Sequence, residues 1–135
     1  MAIILSVHGD RHRNARVAIE DARLVGDNKD ALDFLYGKIG CSWVDVVRLP
    51  NGVDMWVDDE GMFKENAWLN PVATGLRTTL AMKEAPIAVI PCFGWEIYGN
   101  AVLTGHDDFG NTVDLTDEQV EWIEGLIGKV VRHAA

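Results

Sequence analysis

The sequence predicts an α+β domain in which an antiparallel or mixed sheet carries helices packed on it, in the order β-β-α-β-β-α-β-β-α. Three observations point there. Val53, Met55 and Val57 alternate with Asp54, Trp56 and Asp58 behind Pro50-Asn51-Gly52, and Asn-Gly between alternating runs is the strongest short-range hairpin signal. Thr116-Asp117-Glu118-Gln119 spells a capping box before an apolar stripe. The other apolar runs are short and joined by turns, which favours antiparallel pairing over the helical crossovers of a parallel sheet.

The elements follow in order. Residues 2 to 7 are apolar and rich in Ile, Leu and Val, as a buried strand requires. Residues 8 to 15 read as a turn, with Gly9 breaking the strand, and residues 16 to 20 as the returning arm of a hairpin. Asp27 or Asn28 can cap a helix whose stripe is Ala31, Leu32, Phe34 and Leu35, ended by Gly37 or Gly40. Ser42 to Leu49 is a strand, and its partner is Val53 to Asp58. On that partner, Trp56 lies between two aspartates on the polar face, so it either packs under a helix or is exposed for a partner.

Asp59-Glu60-Gly61 is a turn. Asn70 caps, and Pro71 begins, a Thr-rich helix running to about Met82. Ile87 to Ile90 reads as a short strand, and Ile97 to Thr104 as another, broken at Gly99-Asn100. A turn covers Gly105 to Asn111. The last helix carries Val120, Ile123, Ile127 and Val130 on one stripe, with Lys129 and Arg132 in its final turn, where cations suit the dipole. Trp43 and Trp122 are expected in the core.

Length and charge narrow the class. A chain of 135 residues, with 48% hydrophobic and 24% charged, suits a single domain over 1–135 and excludes rods, collagen and disordered tails. No run approaches the about 20 apolar residues of a membrane span, and the start lacks the basic region of a secretory signal. With only Cys41 and Cys92, a reduced, cytoplasmic protein is expected. Residues 1 to 39 carry six charges of each sign, residues 40 to 128 four basic against fifteen acidic, and Lys129 and Arg132 return two, for a net of −9. Such a surface repels nucleic acid and anionic membranes.

The basic exception runs from His8 to Arg16. Arg11, Arg13 and Arg16, with His8 and His12, form an expected anion-binding patch, because guanidinium forks match phosphate oxygens; a solvated hairpin tip is the alternative. His8, Asp10 and His12 would share a strand face and are a ligand set for zinc or iron, yet three arginines crowd them. Asp58, Asp59 and Glu60, with His106, Asp107 and Asp108, lack the spacing of a calcium loop and read as solvated turns. Neither cysteine nor Ser6 nor Ser42 has nucleophile context, and no phosphate loop is present. No enzyme activity, metal or cofactor is expected. Five tryptophans stand out. Trp56, Trp68 and Trp95 occupy polar or loop contexts and are candidate contact residues, since exposed aromatics mark binding surfaces.

From Trp43-Val44-Asp45-Val46-Val47-Arg48-Leu49 onward the sequence resembles an uncharacterised family of small domains found in bacteriophages, plasmids and their bacterial hosts. The resemblance runs through Asp58-Asp59-Glu60-Gly61, Leu69-Asn70-Pro71-Val72-Ala73-Thr74, Ile97 to Gly105, and Asp107-Asp108-Phe109-Gly110-Asn111-Thr112, to Asp117-Glu118-Gln119. It departs at Lys64 to Trp68 and Glu84 to Trp95, both longer than the family pattern. The resemblance implies a mobile-element accessory protein and no particular reaction. Together with the composition it yields three expectations. The first is a non-enzymatic protein that binds a host factor or a small anionic ligand such as a signalling nucleotide and counters host defence, with a homo-oligomer expected by analogy. The second is an acidic DNA mimic that inhibits a host DNA-binding protein. The third is a metal-dependent enzyme built on His8, Asp10 and His12.

Overall fold

The computed structural model describes residues 1–9, 15–24, 28–41, 43–60, 68–84 and 96–134. Strands β1 (Ala2–Gly9) and β2 (Ala15–Ala22) form a hairpin. Helix α1 (Asn28–Ile39) follows, then β3 (Val44–Arg48) and β4 (Val53–Asp58). Helix α2 (Pro71–Glu84), β5 (Ala101–His106), β6 (Thr112–Val113) and α3 (Asp117–Ala134) complete the chain. The strands make one antiparallel sheet in the order β2-β1-β5-β4-β3, with β6 also on β5.

The sheet buries both faces. Ile3, Leu5, Val53, Met55 and Leu103 point toward Leu76 and Leu80 of α2 and Ile123, Leu126 and Ile127 of α3. Ala2, Ile4 and Val102 point the other way, toward Leu35 and Ile39 of α1. This is why the first strand is apolar at consecutive positions: its pleat feeds two cores. Helices α2 and α3 approach closely at Gly75, where an added Cβ would lie 2.5 Å from Val130 Cγ1.

Local rules hold at the element ends. Gly40, at φ 74°, stops α1 and donates its N–H to Tyr36 O at 2.9 Å, while Gly37 stays helical. Asn51 and Gly52 both have positive φ, 63° and 74°, the signature of the primed hairpin turn that their residue types favour. The capping box forms reciprocally: Gln119 N–H donates to Thr116 Oγ1 at 3.1 Å, and Thr116 N–H donates to Gln119 Oε1 at 2.9 Å.

Four expectations change. β1 runs through Gly9, which pairs with Ala15, because a full eight-residue ladder outweighs one glycine. The strand expected from Ile97 begins at Ala101 and continues through His106. Gly99, at φ 85°, leaves upstream only an isolated bridge from Tyr98 to Leu69. β6 was not expected, since two residues carry no readable period. Trp43 is 67% exposed rather than core, because it precedes the edge strand β3 and belongs to neither cluster. The strand expected at Ile87 to Ile90 lies outside the described residues.

Candidate functional site

Asn70 shows how the loops at one end of the sheet are fixed. It is fully buried, and every polar atom of it is engaged. Its Oδ1 accepts from Ala73 N–H at 3.1 Å and caps α2. Its Nδ2 donates to Leu5 O at 3.1 Å and Gly99 O at 2.9 Å. Its own N–H donates to Ile97 O at 2.7 Å, and its carbonyl accepts from Thr74 N–H at 3.0 Å. One side chain thus joins β1, the α2 N-terminus and the segment entering β5. Asn100 does similar work nearby, accepting from Val7 N–H at 3.0 Å and donating to Lys38 O at 3.0 Å.

The segment so placed forms one wall of an open cleft of about 130 Å³ lined by Asp45, Val57, Asp58, Asp59, Arg77, Glu96, Ile97 and Tyr98. Four carboxylates face one guanidinium there. Trp43 lies alongside, its carbonyl accepting from Asp59 N–H at 3.1 Å. The outer edge of β3 is partly closed, because Asp45 Oδ1 accepts from Val46 N–H at 2.8 Å.

A different cluster lies toward the other end of the same strands. Asp54 is 1% exposed, and its Oδ2 takes both Arg48 Nη1 at 2.8 Å and His106 Nδ1 at 3.0 Å. A carboxylate only accepts, so the imidazole donates from Nδ1. Asp54 Oδ1 is buried with no hydrogen-bond partner among the described residues. The register explains the assembly, with Arg48 opposite Asp54 and Asp54 opposite Thr104. Thr104 Oγ1 accepts from Trp56 Nε1 at 2.9 Å. Of the two alternatives for the polar face of β4, packing under a helix is the one found: Trp56 packs against the α1-side core, and Asp54 beside it is buried.

Beyond His106, the β5–β6 turn is held by Asp107, whose Oδ1 accepts from Phe109 N–H at 2.9 Å and Asn111 N–H at 2.8 Å and whose Oδ2 accepts from Asn111 Nδ2 at 3.0 Å. The Asn111 side-chain bond, then these amide bonds, hold its carboxyl below the ordinary value of 3.8. Phe109 at the tip is 90% exposed.

Of the residues expected to bind, Arg11, His12, Arg13 and Trp95 lie outside the described residues, as does Asp10. His8 and Arg16 are opposite each other on β1 and β2, and only their backbones are described. Trp68 is half-buried, its carbonyl accepting from Gly99 N–H at 2.8 Å. Asp58 to Glu60 and His106 to Asp108 are exposed or half-buried, as solvated turns would be, and the two groups lie apart. Val53 pairs with Gly105, so His106 to Asp108 lie at the start of β4 and Asp58 to Glu60 at its far end, roughly 17 Å away at strand rise. Among the described residues, no group of three His, Cys, Asp or Glu could hold a metal ion, and no helix is long and apolar enough to cross a membrane.

The cleft and the Asp54 cluster were both missed in the sequence. The Arg48–Asp54 pairing could not be found from the Asn51-Gly52 turn alone, because a two-residue loop would set Arg48 opposite Met55, whereas the loop spans Pro50 to Gly52 and sets Arg48 opposite Asp54. Nor could the cleft, since Glu96 and Tyr98 reach it only through tertiary bonds, those of Asn70 with those of Thr74 and the Trp68 carbonyl.

No curated protein and no solved structure matches the chain. Residues 15–128 match the family described as Domain of unknown function (DUF3846), which spans both clusters, the cleft and all but the first strand, and the chain belongs to that family.

Proposed function

We propose that the protein is a non-enzymatic binding domain that receives a host protein through that protein's basic surface, at the Trp43 end of the sheet. The cleft carries this reading. Asp45, Asp58, Asp59 and Glu96 outnumber Arg77 around it, Tyr98 lines it, and Trp43 stands exposed beside it. Carboxylates and aromatic faces together suit a Lys or Arg side chain. The order of short motifs that resembles a mobile-element family supports an accessory role in a bacterial cytoplasm, in which occupying a host factor blunts defence without chemistry.

The small anionic ligand belongs to a separate reading, which rests on Arg11, Arg13 and Arg16. The DNA-mimic reading is a special case of a basic partner. The carboxylates lend it less support, because those around the cleft lie at one end of the sheet and Asp107, Asp108, Asp117 and Glu118 at the other. A mimic needs a continuous stripe.

Calorimetry with an oligo-arginine peptide at low and physiological salt tests the proposal. The wild type binds. Asp58→Asn with Asp59→Asn, and separately Trp43→Ser, each weaken binding about tenfold, or about 1.4 kcal/mol. Unchanged affinity in both variants rejects the cleft. A nucleotide that binds the wild type and is lost on changing Arg11, Arg13 and Arg16 to Ser moves the site to the N-terminal hairpin.

A further inference from the structure

We propose that the β5–β6 tip is a second docking surface, anchored by Phe109, for a protein surface that sets an apolar pocket among basic side chains. It rests on the same reading of the molecule as a binding domain, but it uses the opposite end of the sheet. Phe109 is the most exposed large hydrophobic residue among those described, at 90%. An aromatic ring left in water on a mobile loop would be costly to order on binding. The turn that carries this ring is already held: Asp107 Oδ1 accepts the Phe109 N–H at 2.9 Å, Asp107 N–H donates to Asn111 O at 3.0 Å, and Gly110 N–H donates to Asp107 O at 3.1 Å. Such preorganisation is what raises affinity in a contact residue.

Charge identifies the partner. Asp107 and the exposed Asp108 flank the ring in sequence. Gln119 Nε2 donates to Asn51 O at 2.7 Å, and a Cβ on Gly105 would lie 3.3 Å from Gln119 Oε1. The α3 N-terminus, with exposed Asp117 and Glu118, therefore stands at this same end. The basic side chains nearby, Arg48 and His106, are both directed to Asp54 Oδ2. An aromatic anchor at an end of the sheet rich in carboxylates matches an apolar pocket with a Lys or Arg rim. A second copy of this chain is a poor occupant, because a two-fold contact through the tip sets like charges against each other.

Backbone NMR mapping tests this on the full chain, with a synthetic Leu/Lys amphipathic helix as probe and poly-lysine as the charge-only control. The helix is expected to shift the Phe109 and Gly110 amides. Phe109→Ser is expected to lose at least tenfold in affinity with an unchanged melting temperature, and Phe109→Tyr to retain binding. Equal affinity for poly-lysine, or undiminished binding by Phe109→Ser, overturns the proposal. Shifts confined to Val57 and Tyr98 overturn it and leave the cleft standing, whereas shifts confined to the tip support it and reject the cleft. Dimerisation of the wild type that Phe109→Ser abolishes makes a second copy the occupant and overturns the assignment of partner.

Discussion

A carboxylate stripped of water costs several kcal/mol unless its partners replace the lost hydration. Asp54, at 1% exposed, has two such partners on one oxygen and, among the described residues, none on the other. Removing the acid and removing its partners are therefore different experiments. Arg48 is 63% exposed, so without Asp54 it returns to water at little cost. Without Arg48 and His106, the acid is stranded. Asp54→Leu is expected to stay within about 1 kcal/mol of the wild type in urea unfolding, whereas Arg48→Ala with His106→Ala loses about 2 kcal/mol or more. The reverse order would show that Asp54 holds the hairpin register. Alternation put Asp54 and Trp56 on the correct shared face. It could not say that the face is covered, because period two reports direction and the cover is a helix that precedes the hairpin in the chain.

At the scale of elements, caps decide where helices begin, and Asn70 is more than a cap. Replacing an N-cap Asn with Ala costs about 0.5–2 kcal/mol, and each buried carbonyl left without a donor adds about 1–3 kcal/mol. Asn70→Ala takes this donor from Leu5 O and Gly99 O, so its loss should exceed that of an ordinary cap, at about 2.5 kcal/mol or more. Asn70→Asp separates the two roles. It keeps the acceptor for Ala73 N–H but turns the donor into an acceptor against two carbonyls. Equilibrium unfolding should find Asp no better than Ala here, although the two rank far apart at an exposed cap. An Asp variant close to wild type would show that the ties to Leu5 and Gly99 contribute little. The cap itself was legible in Asn70-Pro71, as were the Gly40 stop, the Asn51-Gly52 turn and the Thr116-Gln119 box, because each is a rule about neighbours in sequence. The bonds to β1 and to residue 99 were not, because they join positions 65 and 29 residues apart.

The whole molecule adds two properties that no element holds. One is topology: β5 enters between β1 and β4. That insertion makes β1 and β5 central, buries them on both faces and puts the cleft and the Phe109 tip at opposite ends. Short turns foretold antiparallel pairs but could not foretell this order, since the long connections carry no pairing signal. The other property is charge. At −9, the folded chain repels itself, and acids outnumber bases at both proposed docking ends. Screening shortens the reach of charge from about 30 Å at 0.01 M salt to about 8 Å at 0.15 M, so it relieves repulsion within the fold and weakens attraction to a basic partner. The two effects have opposite signs. Raising sodium chloride over that range is expected to raise the melting temperature of the free protein while reducing its affinity for a basic peptide. The Arg48–Asp54 pair changes less, because its carboxylate is buried and partly buried pairs are screened less. A melting temperature that falls with salt would mean that attractive pairs outweigh the acidic excess, and the carboxylates at the cleft and the tip would then be committed to the fold rather than left for a partner.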